Sequence, residues 1–300
     1  DECRLILLKS SIPNFWKYLP CALEFEGLNQ IAREVQENDS CMSQQDLLLA
    51  ALEAELPTTL AEAADIIKRL DSYSFVSPEG KEVPDYARSK LQNETGYYAD
   101  DVTAQFVDYK NLGEEMMKRE HAVMTSKGMV KKVGGDLKQL PEESVILKLY
   151  TPLSGNLYDG DDERIGIFQG YGLREYQKEI EAAVKENLEF CAERGLAEYM
   201  DNQLLKRKVT CMMPGVEMYE GELWGVVEVK SRGPLSEAER KYILSEWRGQ
   251  AADGWGEGME QRPIKVYDGE LYVSFNSRSR DIRVVEINEG VQENSSMQML

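Results

Sequence analysis

The sequence predicts an α+β protein of two small mixed domains: the first helix-rich with short strands, the second an antiparallel sheet with two helices in a βαββαβ-like order. Three observations carry this. Between Phe25 and Leu70, apolar residues recur at helical spacing in three successive runs. Beyond residue 140 the pattern becomes short strand-like runs divided by turn signals, with only two helical stripes. Between these regions, Gly134-Gly135 and the locally basic stretch to Pro141 (Lys131, Lys132, Lys138) read as a linker. One domain is therefore expected at 1–140, a second at 141–289, and a polar disordered tail at 290–300.

In chain order, Arg4–Leu8 reads as a strand, and Phe15, Trp16 and Tyr18 form a packed loop between Pro13 and Pro20. Leu28, Ile31, Ala32 and Val35 make the first helical stripe. A second helix starts at Ser43, with Leu48, Leu49, Leu52 and Leu56 inward and Glu53 and Glu55 outward; Pro57 stops it. Thr59 and Glu62 have capping-box spacing for a third helix, whose stripe is Leu60, Ala63, Ala64, Ile67 and Leu70. Tyr73–Ser77 is a short strand closed by the turn Ser77-Pro78-Glu79-Gly80. Pro84–Leu91 makes a short helix with Asp85 in its first turn, and 92–101 is polar loop ending in Asp100-Asp101. Tyr109, Leu112, Gly113 and Met116 give another helix, and His121–Thr125 pairs with Met129–Val133 across Ser126-Lys127-Gly128.

In the second half, Val145–Tyr150 is a strand. Residues 172–193 are a long helix, with Tyr176, Ile180, Val184 and Leu188 on one ridge and Gly195 as its stop. Val216–Tyr219 and Glu222–Lys230 form a hairpin over Glu220-Gly221. Ser236 and Glu239 have capping-box spacing for a helix carrying Tyr242, Ile243 and Trp247, ended by Gly249. Ile264–Tyr267 and Leu271–Phe275 pair across Asp268-Gly269.

Composition narrows the function. The chain has 300 residues, 54 acids and 35 bases, for a net charge of −19. Residues 1–140 hold 24 acids and 16 bases, and the remainder holds 30 and 19, so the acidity is spread and is not a tail. Such a surface repels nucleic acid and anionic membrane; it suits a basic partner or simple solubility. No run of 18 apolar residues occurs, so no membrane span is expected. The five cysteines (Cys3, Cys21, Cys41, Cys191, Cys211) are far apart and form no C-x-x-C pair, which reads as reduced thiols in a cytoplasmic protein.

The residues offer little for catalysis. His121 is the only histidine, and its setting between a charged helix end and a hairpin strand reads as structural or exposed. No Cys or His pair has zinc-ligand spacing. Asp159-Gly160-Asp161-Asp162-Glu163 fails the EF-hand pattern at Arg164 and Gly170 and reads as a solvated loop. Gly254-Trp255-Gly256-Glu257-Gly258 lacks a G-K-[ST] ending, follows a helix, and holds carboxylates that repel phosphate. The basic runs Lys206-Arg207-Lys208 and Lys131-Lys132 are short and lack interleaved aromatics. No metal, no cofactor and no enzymatic activity are expected.

Several phrases carry a resemblance. They are Gly27-Leu28-Asn29-Gln30-Ile31-Ala32-Arg33, the leucine-rich helix after it, Ile67-Lys68-Arg69-Leu70-Asp71-Ser72-Tyr73, and Asp108-Tyr109-Lys110-Asn111-Leu112-Gly113-Glu114-Glu115-Met116-Met117 with the hairpin Val123 to Val130. Over about residues 1–135 the chain resembles the ArdA-type antirestriction proteins of conjugative elements. The stretch around Gly254–Gly258 resembles uncharacterised mobile-element proteins of gut Firmicutes. The resemblance implies an acidic DNA mimic that blocks the DNA-binding cleft of Type I restriction–modification enzymes, typically as a homodimer. The carboxylates implied to act collectively are Glu53, Glu55, Glu62, Asp65, Asp71, Asp85, Glu94, Asp100, Asp101, Asp108, Glu114 and Glu115. The alternative is a non-enzymatic protein–protein interaction module of a conjugative element, binding through a face of the C-terminal sheet and lacking antirestriction activity. Residues beyond about 141 have no counterpart in the compact antirestriction proteins.

Overall fold

The computed structural model describes residues 10–76, 82–96, 106–161, 163–182, 200–209, 211–252, 263–266, 269–275 and 282–287. The fold is mixed α+β, with a small three-stranded sheet and a larger curled antiparallel sheet. The chain divides into two compact units: residues 1–140 with 201–207, and residues 141–200 with 208–300. The expected strand Arg4–Leu8, the turn Ser77–Gly80, the Gly254–Gly258 loop and the tail lie outside the described residues.

In the first unit, a 3-10 turn at Phe15–Tyr18 precedes four helices: α1 (Phe25–Glu37), α2 (Asp39–Ser43), α3 (Gln45–Glu55) and α4 (Leu60–Lys68). Three were expected here. The extra turn, α2, exists because Asn38 caps it: its side chain accepts from Ser40 N at 3.0 Å and donates to Ile67 O at 2.9 Å. Thr59 caps α4 by accepting from Glu62 N at 3.2 Å, and the Glu62 carboxylate reaches back to Thr58 N at 2.7 Å. Leu56, with φ 48°, ends α3 in the left-handed conformation just before Pro57. Leu48, Leu52, Ile67, Leu70, Tyr73 and Val130 belong to one core.

Strand β1 (Tyr73–Val76) joins the hairpin β2 (Ala122–Met124) and β3 (Met129–Lys132) in the order β1-β3-β2. Two further helices, α5 (Val83–Thr95) and α6 (Tyr109–Glu120), pack on each other. α5 runs four residues past the expected Leu91 and stops at Gly96, which takes the left-handed conformation with φ 67°. Their approach is close: a Cβ on Gly113 would lie 2.5 Å from Val83 O. Gly27 plays the same part between α1 and α4, where a Cβ would lie 2.7 Å from Leu60 Cβ. Both glycines stand in the phrases that carry the resemblance, so those phrases encode helix packing.

The second unit is built on β4 (Ser144–Tyr158), whose odd-numbered residues from 147 to 157 are buried. It is far longer than the expected Val145–Tyr150. Its ladder with β7 (Glu222–Ser231) runs to Pro152, and its ladder with β9 (Gly269–Phe275) begins at Leu153. Pro152 thus sits where one partner hands over to the next, a position that tolerates a missing N–H. The first half of β4 also pairs with β10 (Arg283–Glu286), and the second half with β5 (Arg164–Gln169). Strand β6 (Cys211–Tyr219) flanks β7, and β8 (Ile264–Val266) flanks β9.

A 3-10 turn at Gly170–Tyr176 leads into helix at 177–182; the rest of the expected helix 172–193 lies outside the described residues. α7 (Gln203–Lys208) follows. α8 (Glu237–Ala252) carries the expected capping box, with Ser236 N donating to Glu239 Oε2 at 2.7 Å. It continues past Gly249, where it was expected to end. A mid-helix glycine costs only about 1 kcal/mol, which the packing of this helix outweighs. Trp247, fully buried on α8, donates from Nε1 to Thr151 Oγ1 on β4 at 2.7 Å. Among the described residues no helix is long and apolar enough to cross a membrane.

Candidate functional site

The carboxylates implied by the resemblance fall into three groups. The first lies on α4 and the turn after it. Leu60, Ala63, Ala64, Ile66 and Ile67 face inward, which leaves Glu62 and Asp65 outward at i, i+3 spacing. Asp71 follows in the 3-10 turn Leu70–Ser72, exposed, and accepts from Ser40 Oγ at 2.9 Å. Thr58 holds the Glu62 carboxyl below its ordinary range, chiefly through its backbone N–H.

The second group is spread over α5 and α6. Asp85 lies 3.2 Å from Arg88, and Glu94 lies 3.3 Å from Lys90. Asp108 caps α6 by accepting from Asn111 N at 3.0 Å. Glu114 is half-buried, and Glu115 is exposed, 2.8 Å from Lys118, whose ammonium lowers its pKa. On these helices a base neighbours several of the acids, and the first group is mixed in the same way: exposed Lys68 and Arg69 stand between Asp65 and Asp71, and the Lys138 cation acts on Glu62. Asp100 and Asp101 lie outside the described residues.

The third group is a correction. Glu53 and Glu55 do not face solvent. Every residue of α3 from Leu47 to Ala54 is buried, because this helix runs through the core with no free side. Glu53 is 6% exposed and accepts from Ser126 N at 2.8 Å and Ser126 Oγ at 2.5 Å, with Tyr18 Oη 3.0 Å from the same hydroxyl. Glu55 accepts from Tyr73 Oη and Lys132 Nζ, each at 2.9 Å, and from Lys138 N at 3.3 Å. The two glutamates clamp the β2–β3 hairpin to α3. Ser126 and Lys132 were legible only as hairpin residues, since nothing in sequence links them to a helix more than 70 positions away.

Burial raises the pKa of Glu53 against the pull of the Ser126 hydrogen bonds and the nearby Arg207 and Lys127 cations. A carboxyl with a raised folded pKa holds its proton more tightly folded than unfolded. Its contribution to stability is full below the unfolded carboxyl pKa and is lost as pH climbs through the folded one. Glu53→Gln keeps an acceptor for Ser126 N–H. Denaturant titrations should find it equal to the parent near about pH 4 and gaining on it towards about pH 8. A deficit that grows with pH would contradict this.

The remaining candidates for chemistry are occupied elsewhere. His121 is exposed, with Nδ1 3.0 Å from Asp136 Oδ1. Asp159 Oδ1 accepts from Asp161 N and Glu163 N, both at 2.9 Å, so Asp159 organises the connection between β4 and β5. Among the described residues no group of three His, Cys, Asp or Glu side chains is placed to hold a metal ion. Burial pushes the Cys41 thiol up to about 11, the opposite of an activated nucleophile. Lys131 pairs with Glu120, Lys208 with Glu239, and Arg207 donates to Met124 O at 2.7 Å, so the two basic runs are used within the fold. A cavity of about 230 Å³ in the first unit, lined by Ile12, Phe15, Leu28, Ile31, Val35 and Gln36 among others, carries no charged side chain among the described residues. Comparison with family models, with curated proteins and with solved structures finds no match to this chain.

Proposed function

We propose that this chain is a non-enzymatic acidic binding protein of a mobile genetic element, acting in the cytoplasm as an antirestriction DNA mimic on the basic DNA-binding cleft of a Type I restriction–modification enzyme. The observation that carries the reading is the exposure of Glu62, Asp65 and Asp71 along one short segment of a chain of net charge −19. Side chains three apart on a helix stand about 5–6 Å apart, and duplex DNA offers one charge per about 1.7 Å of axis. An array of such carboxylates can imitate part of a phosphate row, and the exposed acids of α5 and α6 add negative charge to the same unit. Attraction to a basic cleft then comes from steering and many weak pairs.

The test is protection of a plasmid from a purified Type I enzyme by increasing amounts of the full chain. Inhibition that weakens with added salt supports the reading. Combining Glu62→Gln, Asp65→Asn, Asp71→Asn, Glu94→Gln and Glu115→Gln should weaken inhibition about 100-fold, while each single change costs about threefold or less. No inhibition by a large molar excess would sink the antirestriction reading and leave an interaction module of other specificity.

A further inference from the structure

A helix packed on a core buries its apolar stripe along its whole length. The stripes of α3 and α4 follow that rule: Leu48, Leu49 and Leu52 on one, and Leu60, Ala63, Ala64 and Ile67 on the other, are all buried. The stripe of α1 does not. Ile31 is 3% exposed, but Leu28 and Val35 are half-buried and Ala32 is exposed. Gly27 lets the start of α1 close onto Leu60 of α4. The stripe after it faces the cavity of about 230 Å³, whose opposite wall is the chain from Ser10 to Leu19. That wall presents Ile12, Phe15 and Leu19, all buried.

Protein interiors leave few voids larger than a water, and an apolar void is a poor place for water because hydrogen-bonding partners are missing. The polar members of this lining, Ser10, Ser11 and Gln36, are not fully buried, so they stand at the opening and not on the floor. Ser10 Oγ accepts from Ile12 N at 3.2 Å, which leaves its O–H to donate. The lining selects by charge: on a chain of net charge −19 it carries no charged side chain among the described residues, so an ion entering it sheds water and gains no counter-ion. It also selects by size. An apolar cavity of about 150 Å³ takes up benzene, and scaling by volume gives room here for about nine non-hydrogen atoms.

We propose that the cavity between α1 and residues 10–19 is a binding site for a compact, uncharged, mainly apolar molecule of about nine non-hydrogen atoms, its one hydrogen-bonding group held at the opening by Ser10 or Gln36. The proposal is independent of the antirestriction reading, which rests on the exposed carboxylates.

Indole, which has this size and a single N–H donor, is the probe. Calorimetric titration of the full chain should show saturable one-to-one binding. The methyl NMR signals of Ile12, Leu28, Ile31 and Val35 should shift, while those of Leu149 and Val227 in the other unit stay in place. Indole-3-acetate should bind at least about tenfold more weakly, because its carboxylate finds no cation in the lining. Ala32→Trp replaces a small exposed side chain with one that fills the cavity mouth. It should melt at or above the parent's temperature and bind indole at least about tenfold more weakly. Absence of saturable binding overturns the proposal. So does equal affinity for the two compounds, a set of shifts confined to other methyls, or a folded Ala32→Trp chain that binds indole as the parent does.

Discussion

A fragment ending at residue 140 is expected to be less stable by about 3 kcal/mol or more than the same residues within the full chain. Residues 201–207 group with the first unit although the chain reaches them only after sixty residues of the second. They bring specific bonds. Asn202 Nδ2 donates to Leu19 O at 2.8 Å in a buried setting, Arg207 donates to Met124 O, and Lys17 pairs with Asp201. A buried carbonyl stripped of its donor costs about 1–3 kcal/mol; the fragment loses one such donor, Asn202, and a second, Arg207, from a half-buried carbonyl. The loss of Arg207 also removes a cation near Glu53. Urea titration of the 1–140 fragment, beside a version in which a short Gly-Ser linker adds residues 200–209, should show the second regaining most of the deficit. Equal midpoints would mean the crossing segment contributes nothing.

Trp247→Ala is expected to destabilise the second unit by about 3–5 kcal/mol. The indole is fully buried and is the largest completely enclosed side chain of the described residues. Its removal opens a cavity between α8 and β4. It also strands the Thr151 hydroxyl, itself 1% exposed, without its donor. Trp247→Phe keeps most of the volume and loses the hydrogen bond, so a smaller cost of about 1–2 kcal/mol is expected. Thermal unfolding followed by circular dichroism separates the two. Near-parent melting of Trp247→Ala would contradict the packing described here.

Much of this was legible because local signals agreed with tertiary demands. Both capping boxes, Thr59 with Glu62 and Ser236 with Glu239, form where their spacing placed them. The helical stripe of α4 faces inward as read. The departures have physical causes. α3 was read as one-sided, but Ala50, Ala51 and Ala54 are small enough for neighbours to enclose it fully, and Glu53 and Glu55 find buried partners. A carboxylate on the far side of a leucine stripe looks solvated in sequence whether or not a hairpin closes over it. β4 runs eight residues past the expected Tyr150, through Pro152 and Gly155, which are poor strand formers. Its period-2 burial and its change of partner at Pro152 show why both are tolerated. β5 and β10 are short strands whose order is imposed by pairing with β4, not by their own composition. The acidic surface was legible only as charge; which carboxylates remain outward depended on bonds between residues dozens of positions apart.

Whether an acidic face of this chain takes the place of DNA in the cleft is decided by competition. A fluorescent duplex carrying the target sequence is bound to a purified Type I methyltransferase core, and the full chain is titrated in while anisotropy is followed. Complete displacement of the duplex is expected, by a chain whose own affinity for the core, measured without DNA, falls as salt is added. A duplex that stays bound in the presence of a large excess of this chain, or a ternary complex holding both, would contradict it.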